Sequence, residues 1–201
     1  MALSKIQAES MNLADTYAFS GTVSGSGMDL LLNDTISSST ANYIISSTYI
    51  NGSYDSYYLD ATFLGDSDNR YLYGEVYVGG SLITSESYAY EVQVLGAAYS
   101  SGGFNSNSDT VMNVFNTAGA GSADGEGITI SATYQNTNSI LKPFCSSGFA
   151  SHFNTSGNHE AYAFTGSLKV ANRASVVNGL RLRFSSGNIV SGTVKLYGLR
   201  K

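Results

Sequence analysis

The chain has 201 residues, a formal net charge of −5 and charged side chains at only 12% of its positions. Its 10 lysines and arginines are too few to follow a phosphate backbone, so we expect no nucleic-acid partner. One proline and an excess of serine, threonine, asparagine, glycine and tyrosine favour many strands with tight polar turns over long helices. The single cysteine, Cys145, excludes an intramolecular disulfide, and we expect it to be a small buried residue on a strand.

Residues 1–27 are predicted to be an attachment arm that precedes the folded domain. Apolar residues between Leu3 and Ala14 fall loosely on helical spacing, and Tyr17 and Phe19 then alternate with smaller side chains in a short strand. Such a segment is too short to fold by itself, so it either packs on its own domain or docks on another protein, and we favour docking. The residues that we expect to make this contact are Ile6, Met11, Leu13, Tyr17 and Phe19.

The sequence predicts neither a secretory signal nor a membrane segment. The first 15 residues contain lysine, glutamine, glutamate and asparagine without a continuous apolar run. No later segment approaches the ~18 apolar residues that a membrane span requires. We therefore expect that the protein does not insert into a membrane. We expect it to assemble in a reducing cytoplasm, in keeping with the lack of disulfides.

Residues 28–201 are predicted to form one antiparallel β-sandwich, and a jelly roll is the variety that we expect. Short runs of alternating apolar and polar residues recur throughout this region, and turn-forming pairs such as Asn51–Gly52, Gly79–Gly80 and Gly102–Gly103 separate them. No change of composition indicates a second domain. The predicted strands are Asp29–Leu32, Asn42–Tyr49, Tyr57–Leu64, Arg70–Val78, Tyr88–Leu95, Thr110–Phe115, Gly127–Tyr134, Cys145–Phe153, Ala161–Val170, Leu180–Phe184 and Gly192–Tyr197.

Tyrosine is the dominant aromatic residue, with 15 copies and no tryptophan in the chain. In the strand predicted over Arg70–Val78, apolar side chains occupy one face, while Tyr71, Tyr73 and Tyr77 occupy the other. Tyrosines of this kind either cover a sheet face, with their hydroxyls in water, or form a subunit interface or a glycan platform. Because sugar platforms often use tryptophan, an interface is favoured over a glycan face.

No set of residues forms a persuasive catalytic centre, and we expect neither an enzyme nor a cofactor. His152 and His159 flank a turn and could meet across a hairpin, where Glu160 is the only nearby carboxylate. Asp66 and Asp68 share one turn and carry the oxygen ligands that calcium prefers. Both pairs are weak metal candidates, because a solvated hairpin tip and an ordinary Asp/Asn turn are the interpretations that we favour.

The C-terminal end of the chain predicts a β-hairpin that lays its apolar face on another sheet. Leu180, Leu182 and Phe184 alternate with two arginines, and Val194 and Leu196 alternate with polar residues in the returning strand. The basic residues concentrate in this part of the sequence and indicate a solvated sheet face or, alternatively, a surface that docks on an acidic partner. They are Lys169, Arg173, Arg181, Arg183, Lys195, Arg200 and Lys201.

The same region carries a resemblance. The segments FSSGNI at Phe184–Ile189, SGT at Ser191–Thr193 and KLYG at Lys195–Gly198 resemble the closing motif of a family of β-sandwich domains in tailed-phage virion proteins, common among phages of marine bacteria. The opening segment, MALSKIQAESMNLADTYAFSGTVSG, is similar to the N-terminal segment of phage fibre and appendage proteins. In the middle of the chain, the segments YLYGEVYV and HFNTSGN resemble the family only in their pattern of residue types.

The resemblance implies a non-enzymatic structural protein on the virion surface, assembled in the cytoplasm of the host bacterium. The first expectation is a capsid decoration or head appendage protein, attached through its N-terminal arm to other virion proteins and arranged as a homotrimer. The alternative is a short tail-fibre or receptor-binding protein that contacts host-surface glycan. A glycan depolymerase is a distant third.

Overall fold

The computed structural model describes residues 27–95, 103–114, 119–169, 172–173 and 175–199. These ranges contain no helix, and their strands form two antiparallel sheets that pack together, which confirms the predicted β-sandwich. No described residue belongs to a helix with the length and apolar character of a membrane span. The predicted attachment arm, with Ile6, Met11, Leu13, Tyr17 and Phe19, lies outside the described residues.

Thirteen strands are present in the described ranges. In most of them buried and exposed side chains alternate, and the shortest are brief stretches that pair at a sheet edge. They are β1 (Met28–Ile36), β2 (Tyr43–Ile45), β3 (Ser56–Gly65), β4 (Leu72–Val78), β5 (Ser81–Leu82), β6 (Tyr88–Val94), β7 (Gly103–Asp109), β8 (Met112–Asn113), β9 (Gly127–Gln135), β10 (Cys145–Phe153), β11 (His159–Leu168), β12 (Val177–Phe184) and β13 (Ile189–Leu199).

The two sheets differ in size. The large sheet has eight strands in the order β1-β13-β3-β9-β10-β11-β6-β7, and the small sheet has the order β2-β12-β4-β5, with β8 also paired to β4. The first four strands alternate between the sheets, whereas β9, β10 and β11 form a consecutive meander within the large sheet. A jelly roll, the narrower expectation, is not confirmed.

The core lies between the inner faces of the two sheets. Every second residue of β3, from Tyr57 to Phe63, is buried, and the same period holds in β9, β11 and β12. Side chains of a strand alternate between its faces, so each sheet presents one apolar face and one face to water. Full burial of a leucine such as Leu182 or Leu196 stabilises the fold by about 1.5–3 kcal/mol.

The predicted C-terminal hairpin is wrong in its pairing, although its faces are right. Leu180, Leu182 and Phe184 are buried, as are Val194 and Leu196. However, β12 pairs with β2 and β4 in the small sheet, while β13 pairs with β1 and β3 in the large sheet. The connection between them therefore crosses the sandwich as an arch. Alternation reports which face of a strand is apolar but not which strand lies beside it.

Contacts from the β3–β4 connection and from the β1–β2 connection hold this arch. The Ser185 amide donates to the Tyr71 carbonyl, and the Ser185 hydroxyl accepts a hydrogen bond from the Tyr71 amide. The Asn188 amide donates to Asp66 Oδ2 at 2.9 Å, and the amides and carbonyls of Thr40 and Ile189 pair reciprocally. The turn residues predicted for a hairpin tip thus serve a connection between sheets.

Several strand predictions need correction at the edges. Gly103–Asp109 pairs with β6 as an edge strand, although a glycine turn was predicted where it begins. The strand was missed because its polar sequence lacks the apolar alternation by which strands are recognised. The strand predicted over Asn42–Tyr49 is shortened to Tyr43–Ile45. Cys145 lies on the outward face of β10 and is half-exposed, so the prediction of a buried cysteine is wrong.

Buried tyrosine hydroxyls connect the sheets across the core. Tyr88 of β6, in the large sheet, accepts a hydrogen bond from the Val76 amide of β4 at 2.9 Å and donates to the Ile83 carbonyl at 3.0 Å. The Val76 amide lies on β4 between the short stretches that pair with β5 and β8, so the hydroxyl satisfies a backbone group that no strand pairs. Tyr90 makes a second connection by accepting from Asn113 Nδ2 at 2.7 Å.

We predict that Tyr88→Phe lowers the free energy of unfolding at pH 7 by about 1–3 kcal/mol, because it leaves buried backbone groups without a partner. Burial raises the pKa of Tyr88 to about 12, above the value near 10 of an unfolded tyrosine. Its contribution to stability is therefore complete below pH ~10 and declines as the pH rises towards 12.

Urea denaturation of the wild type and Tyr88→Phe at pH 7 and pH 11 measures both effects. The difference between the two proteins should shrink at pH 11, since only the wild type loses the contribution of Tyr88. A difference that stays constant or grows with pH would contradict the assignment.

Candidate functional site

The outer face of the small sheet carries its most unusual group of side chains. Tyr73, Glu75 and Tyr77 of β4 point outward beside Arg181 and Arg183 of β12, and the strand register places Arg181 opposite Glu75 and Arg183 opposite Tyr73. Both strands lie inside the sheet, so the register is fixed from two sides by β2 and by β5 and β8. The polar side chains are therefore held on a rigid part of the fold.

Glu75 is the centre of this group and is only 2% exposed. Arg181 donates to it through Nε and Nη2, both at 2.7 Å, and Arg183 donates through Nε at 2.9 Å. The hydrogen bond to Glu75 raises the pKa of the Arg181 guanidinium further above its usual range. A buried carboxylate is tolerated only with such partners. Two guanidinium groups meet one carboxylate, so the cluster carries an excess positive charge.

The predicted tyrosine face is present, but its rings are partly covered. Tyr71, Tyr73 and Tyr77 are all half-buried. The Arg183 guanidinium lies 5.1 Å from the centroid of the Tyr73 ring, a cation–π contact that occupies one face of that ring. Burial raises the pKa of the Tyr73 hydroxyl, and the nearby Arg183 charge opposes this shift.

A small cavity of about 200 Å³ opens beside Tyr77. Its wall combines an aromatic ring, an exposed Ile44 side chain, two serine hydroxyls and an amide. Gly179 allows the close approach of the ring, because a Cβ at this position would lie 3.1 Å from Cδ2 of Tyr77. The Asn178 side chain accepts a hydrogen bond from the Gly80 amide at 3.2 Å. The lining residues are Ile44, Ser46, Ser47, Tyr77, Gly80, Asn178 and Gly179.

The outer face of the large sheet is different in character. Phe149, at the middle of β10, is 63% exposed. Its eight neighbours on this face, as given by the strand register, are all small. They are Ser131 and Ala163 beside it, Ser147 and Ser151 along the strand, and Thr129, Thr133, Ala161 and Thr165 diagonally. One large apolar side chain thus projects from a patch of smaller ones.

An open cleft of about 380 Å³ lies at one end of the same face. Phe153 and His159 face each other across the β10–β11 hairpin with ring centroids 5.3 Å apart and planes at 60°. Hydroxyls of Thr62, Thr129 and Ser151 line the floor of the cleft. The arrangement offers hydrogen-bonding groups and one apolar ring.

The two histidines do not form a joint site, because they lie on opposite faces of the large sheet. His159 is exposed, whereas His152 is 2% exposed and its ring stacks on Tyr162 with centroids 5.6 Å apart. The prediction of a solvated hairpin tip is therefore wrong for His152. Nε2 of His152 lies 3.7 Å from Glu160 Oε2, and Glu160 also accepts hydrogen bonds from Tyr162 and Asn154.

The two aspartates of the predicted calcium turn serve different loops. Asp66 accepts from the Asn188 amide in the arch between β12 and β13. Asp68 accepts from the amide and the hydroxyl of Ser122, both at 2.8 Å. No group of three or more histidine, cysteine, aspartate or glutamate side chains in the described ranges is arranged to hold a metal ion.

Comparison with known proteins adds no relative. No protein-family model, no curated protein and no solved structure matches this chain. The class that the fold defines is an antiparallel β-sandwich.

Sequence patterns missed the paired side chains that the fold creates. The charged network of Glu75 with Arg181 and Arg183 was not predicted, because it joins positions that are more than 100 residues apart. The sequence did contain a usable signal. Glu75 alternates with two tyrosines, and Arg181 and Arg183 are also two positions apart, so each set lies on one face of its strand. This spacing does not give the register between the two strands.

We predict that Gly187→Ala destabilises the fold by about 1–3 kcal/mol more than Gly157→Ala, because Asp66 must move and release the Asn188 amide. Both glycines have similar backbone angles, with φ of 78° and 73°. A Cβ at residue 187 would lie 2.2 Å from Asp66 Oδ1, whereas residue 157 has open space around it. Each variant therefore carries the same backbone strain of about 1 kcal/mol.

Chemical denaturation of the two variants side by side separates the contact with Asp66 from the backbone strain. Equal destabilisation would show that the Asp66 contact does not support the arch.

Proposed function

We propose that this chain is a non-enzymatic structural protein of a tailed-phage particle, displayed on the virion surface as a capsid decoration or head appendage and held there through residues 1–27. The resemblance of Phe184–Gly198 to the closing motif of such domains supports the proposal. The observation that carries it is the outer face of the large sheet, where an exposed phenylalanine projects among small side chains.

A second copy of this chain is the partner that we assign to this face. Covering Phe149 removes apolar surface from water, and aromatic residues are enriched in the cores of protein interfaces. The charged pair Asp60 and Lys195, opposite each other on β3 and β13, lies to one side of it, as expected for a polar rim. The resemblance suggests a trimer. In a symmetric assembly many copies combine weak individual contacts.

A second candidate function is a short tail-fibre or receptor-binding protein that contacts host-surface glycan. The cavity beside Tyr77 favours it, because an aromatic ring with adjacent hydroxyl and amide groups is the combination that binds a sugar ring. The candidates differ in where the protein lies on the particle and in how many copies are present.

Quantitative mass spectrometry of purified particles, with immunogold labelling, tests the location. A copy number comparable with that of the major capsid protein supports decoration, whereas a few copies confined to the tail support receptor binding. Absence from purified particles would contradict both. Degradation of host polysaccharide by the purified protein would contradict the non-enzymatic assignment.

We predict that deletion of residues 1–25 leaves a folded β-domain that no longer joins particles, because the arm supplies the attachment. Circular dichroism and urea denaturation report the fold, and cosedimentation with particles reports attachment. Loss of cooperative unfolding would show that the arm belongs to the core of the domain.

We predict that Phe149→Ser converts the oligomer into monomers without loss of stability, because the side chain is exposed within one subunit and buried only between subunits. Leu141→Ser is the matched control, since Leu141 is 91% exposed but lies on a loop away from this face. Light scattering coupled to gel filtration measures the mass. A monomeric wild type, or an unchanged oligomer in Phe149→Ser, would contradict the proposed interface.

A further inference from the structure

We propose that the outer face of the small sheet is a binding site for a sugar carrying a carboxylate, with Arg181 and Arg183 holding the carboxylate and the cavity beside Tyr77 holding the ring. This inference rests on the second candidate function for its biological setting and names the class of glycan. The site itself is built from the fold and is the same on a head or a tail protein.

Both arginines keep donors that the protein does not use. A guanidinium has five N–H donors in a planar fork. Arg181 uses Nε and Nη2 on Glu75, and Arg183 uses Nε on Glu75 and Nη1 on the Phe184 carbonyl at 3.2 Å. Among the described residues no acceptor lies on Nη1 of Arg181 or Nη2 of Arg183. These groups remain for a ligand oxygen.

The charge of the cluster matches one carboxylate. Two guanidinium groups and the Glu75 carboxylate leave one positive charge, in a chain whose formal net charge is −5. A bound carboxylate would neutralise this excess. The overall negative charge disfavours a densely charged polyanion such as nucleic acid, so the ligand is expected to carry sparse charges.

Glu75 acts as a positioning residue. It is buried and binds both arginines, so it holds their guanidinium planes before a ligand arrives. The side chains of Arg181 and Arg183 are 20% and 25% exposed, which leaves an accessible edge on largely fixed groups. Such preorganisation reduces the entropy lost on binding. The stacking of Arg183 on Tyr73 fixes that guanidinium from a second side.

The cavity adjoins this cluster and has the size of one small ring. Arg181 lies opposite Ile44, which lines the cavity, and Tyr77, which also lines it, is two residues from Glu75 on β4. The volume of about 200 Å³ is below the ~300–1,000 Å³ of sites for larger ligands. Ser46 and Ser47 line the cavity and carry hydroxyl groups that can hydrogen-bond around the ring position. A monosaccharide unit with a carboxylate directed at the arginines satisfies both parts.

The test uses methyl glucuronide and methyl glucoside, added to the ¹⁵N-labelled wild-type protein; they differ only at C6, which is a carboxylate in the first and a hydroxymethyl group in the second. We expect the glucuronide to shift the Arg181 and Arg183 Nε–H and Gly179 amide signals, with binding at least about tenfold tighter than that of the glucoside. Glucose 6-sulfate is a third arm, and equal binding would show that the site selects an anionic sugar rather than a carboxylate.

Variants supply the second measurement. Arg183→Gln should abolish the preference for glucuronide over glucoside, and Arg183→Lys should weaken it, because a lysine retains the charge but loses the planar fork. Lys142→Gln removes the same charge from an exposed loop between β9 and β10 and should leave the preference unchanged. The wild-type comparison of the two glycosides requires no variant, so it decides the matter even if Arg183→Gln is unfolded.

The outcomes separate this inference from the proposed function. Equal binding of both glycosides at this face would overturn the acidic-sugar assignment and leave the glycan-contact role standing. Signal shifts confined to the large sheet would overturn the site. Location on the particle is decided independently by copy number and labelling.

Discussion

The inner faces of the two sheets must be buried against each other, and each of the last two strands lies between two strands of its sheet. β12 lies between β2 and β4, and β13 lies between β1 and β3. The arch between them therefore joins the two sheets, and Asp66 and Tyr71 hold it through hydrogen bonds. The charged cluster on the outer face of the small sheet depends on this arrangement, because it requires the pairing of β12 with β4.

Alternation of side chains allowed the faces of most strands to be predicted, but not their partners. Leu180 and Leu196 were assigned correctly to the core because burial depends on a local period of two. The pairing of β12 and β13 was wrong because partner choice depends on residues far apart in sequence. The edge strand β7 was missed for another reason, since a strand that pairs through its backbone at a sheet edge needs no apolar side chains.

The candidate sites show the same limit. The outward position of Tyr73 and Tyr77 was predicted, yet the burial of Glu75 between two arginines depends on the register of β4 against β12. His152 was assigned to a solvated tip because it flanks a turn, whereas its position on the inward face of β10 decides its burial. Spacing within one strand can place a side chain on a face but cannot identify what lies across from it.

The late position of β12 and β13 in the sequence also bears on how a newly made chain folds. While residues 1–176 emerge from the ribosome, β1 and β3 lack the strand that separates them, and so do β2 and β4. Neither sheet is continuous until residues 177–199 have been synthesised, so folding is completed after most of translation. Prematurely terminated chains would expose open strand edges and aggregate, which links faithful completion of synthesis to solubility.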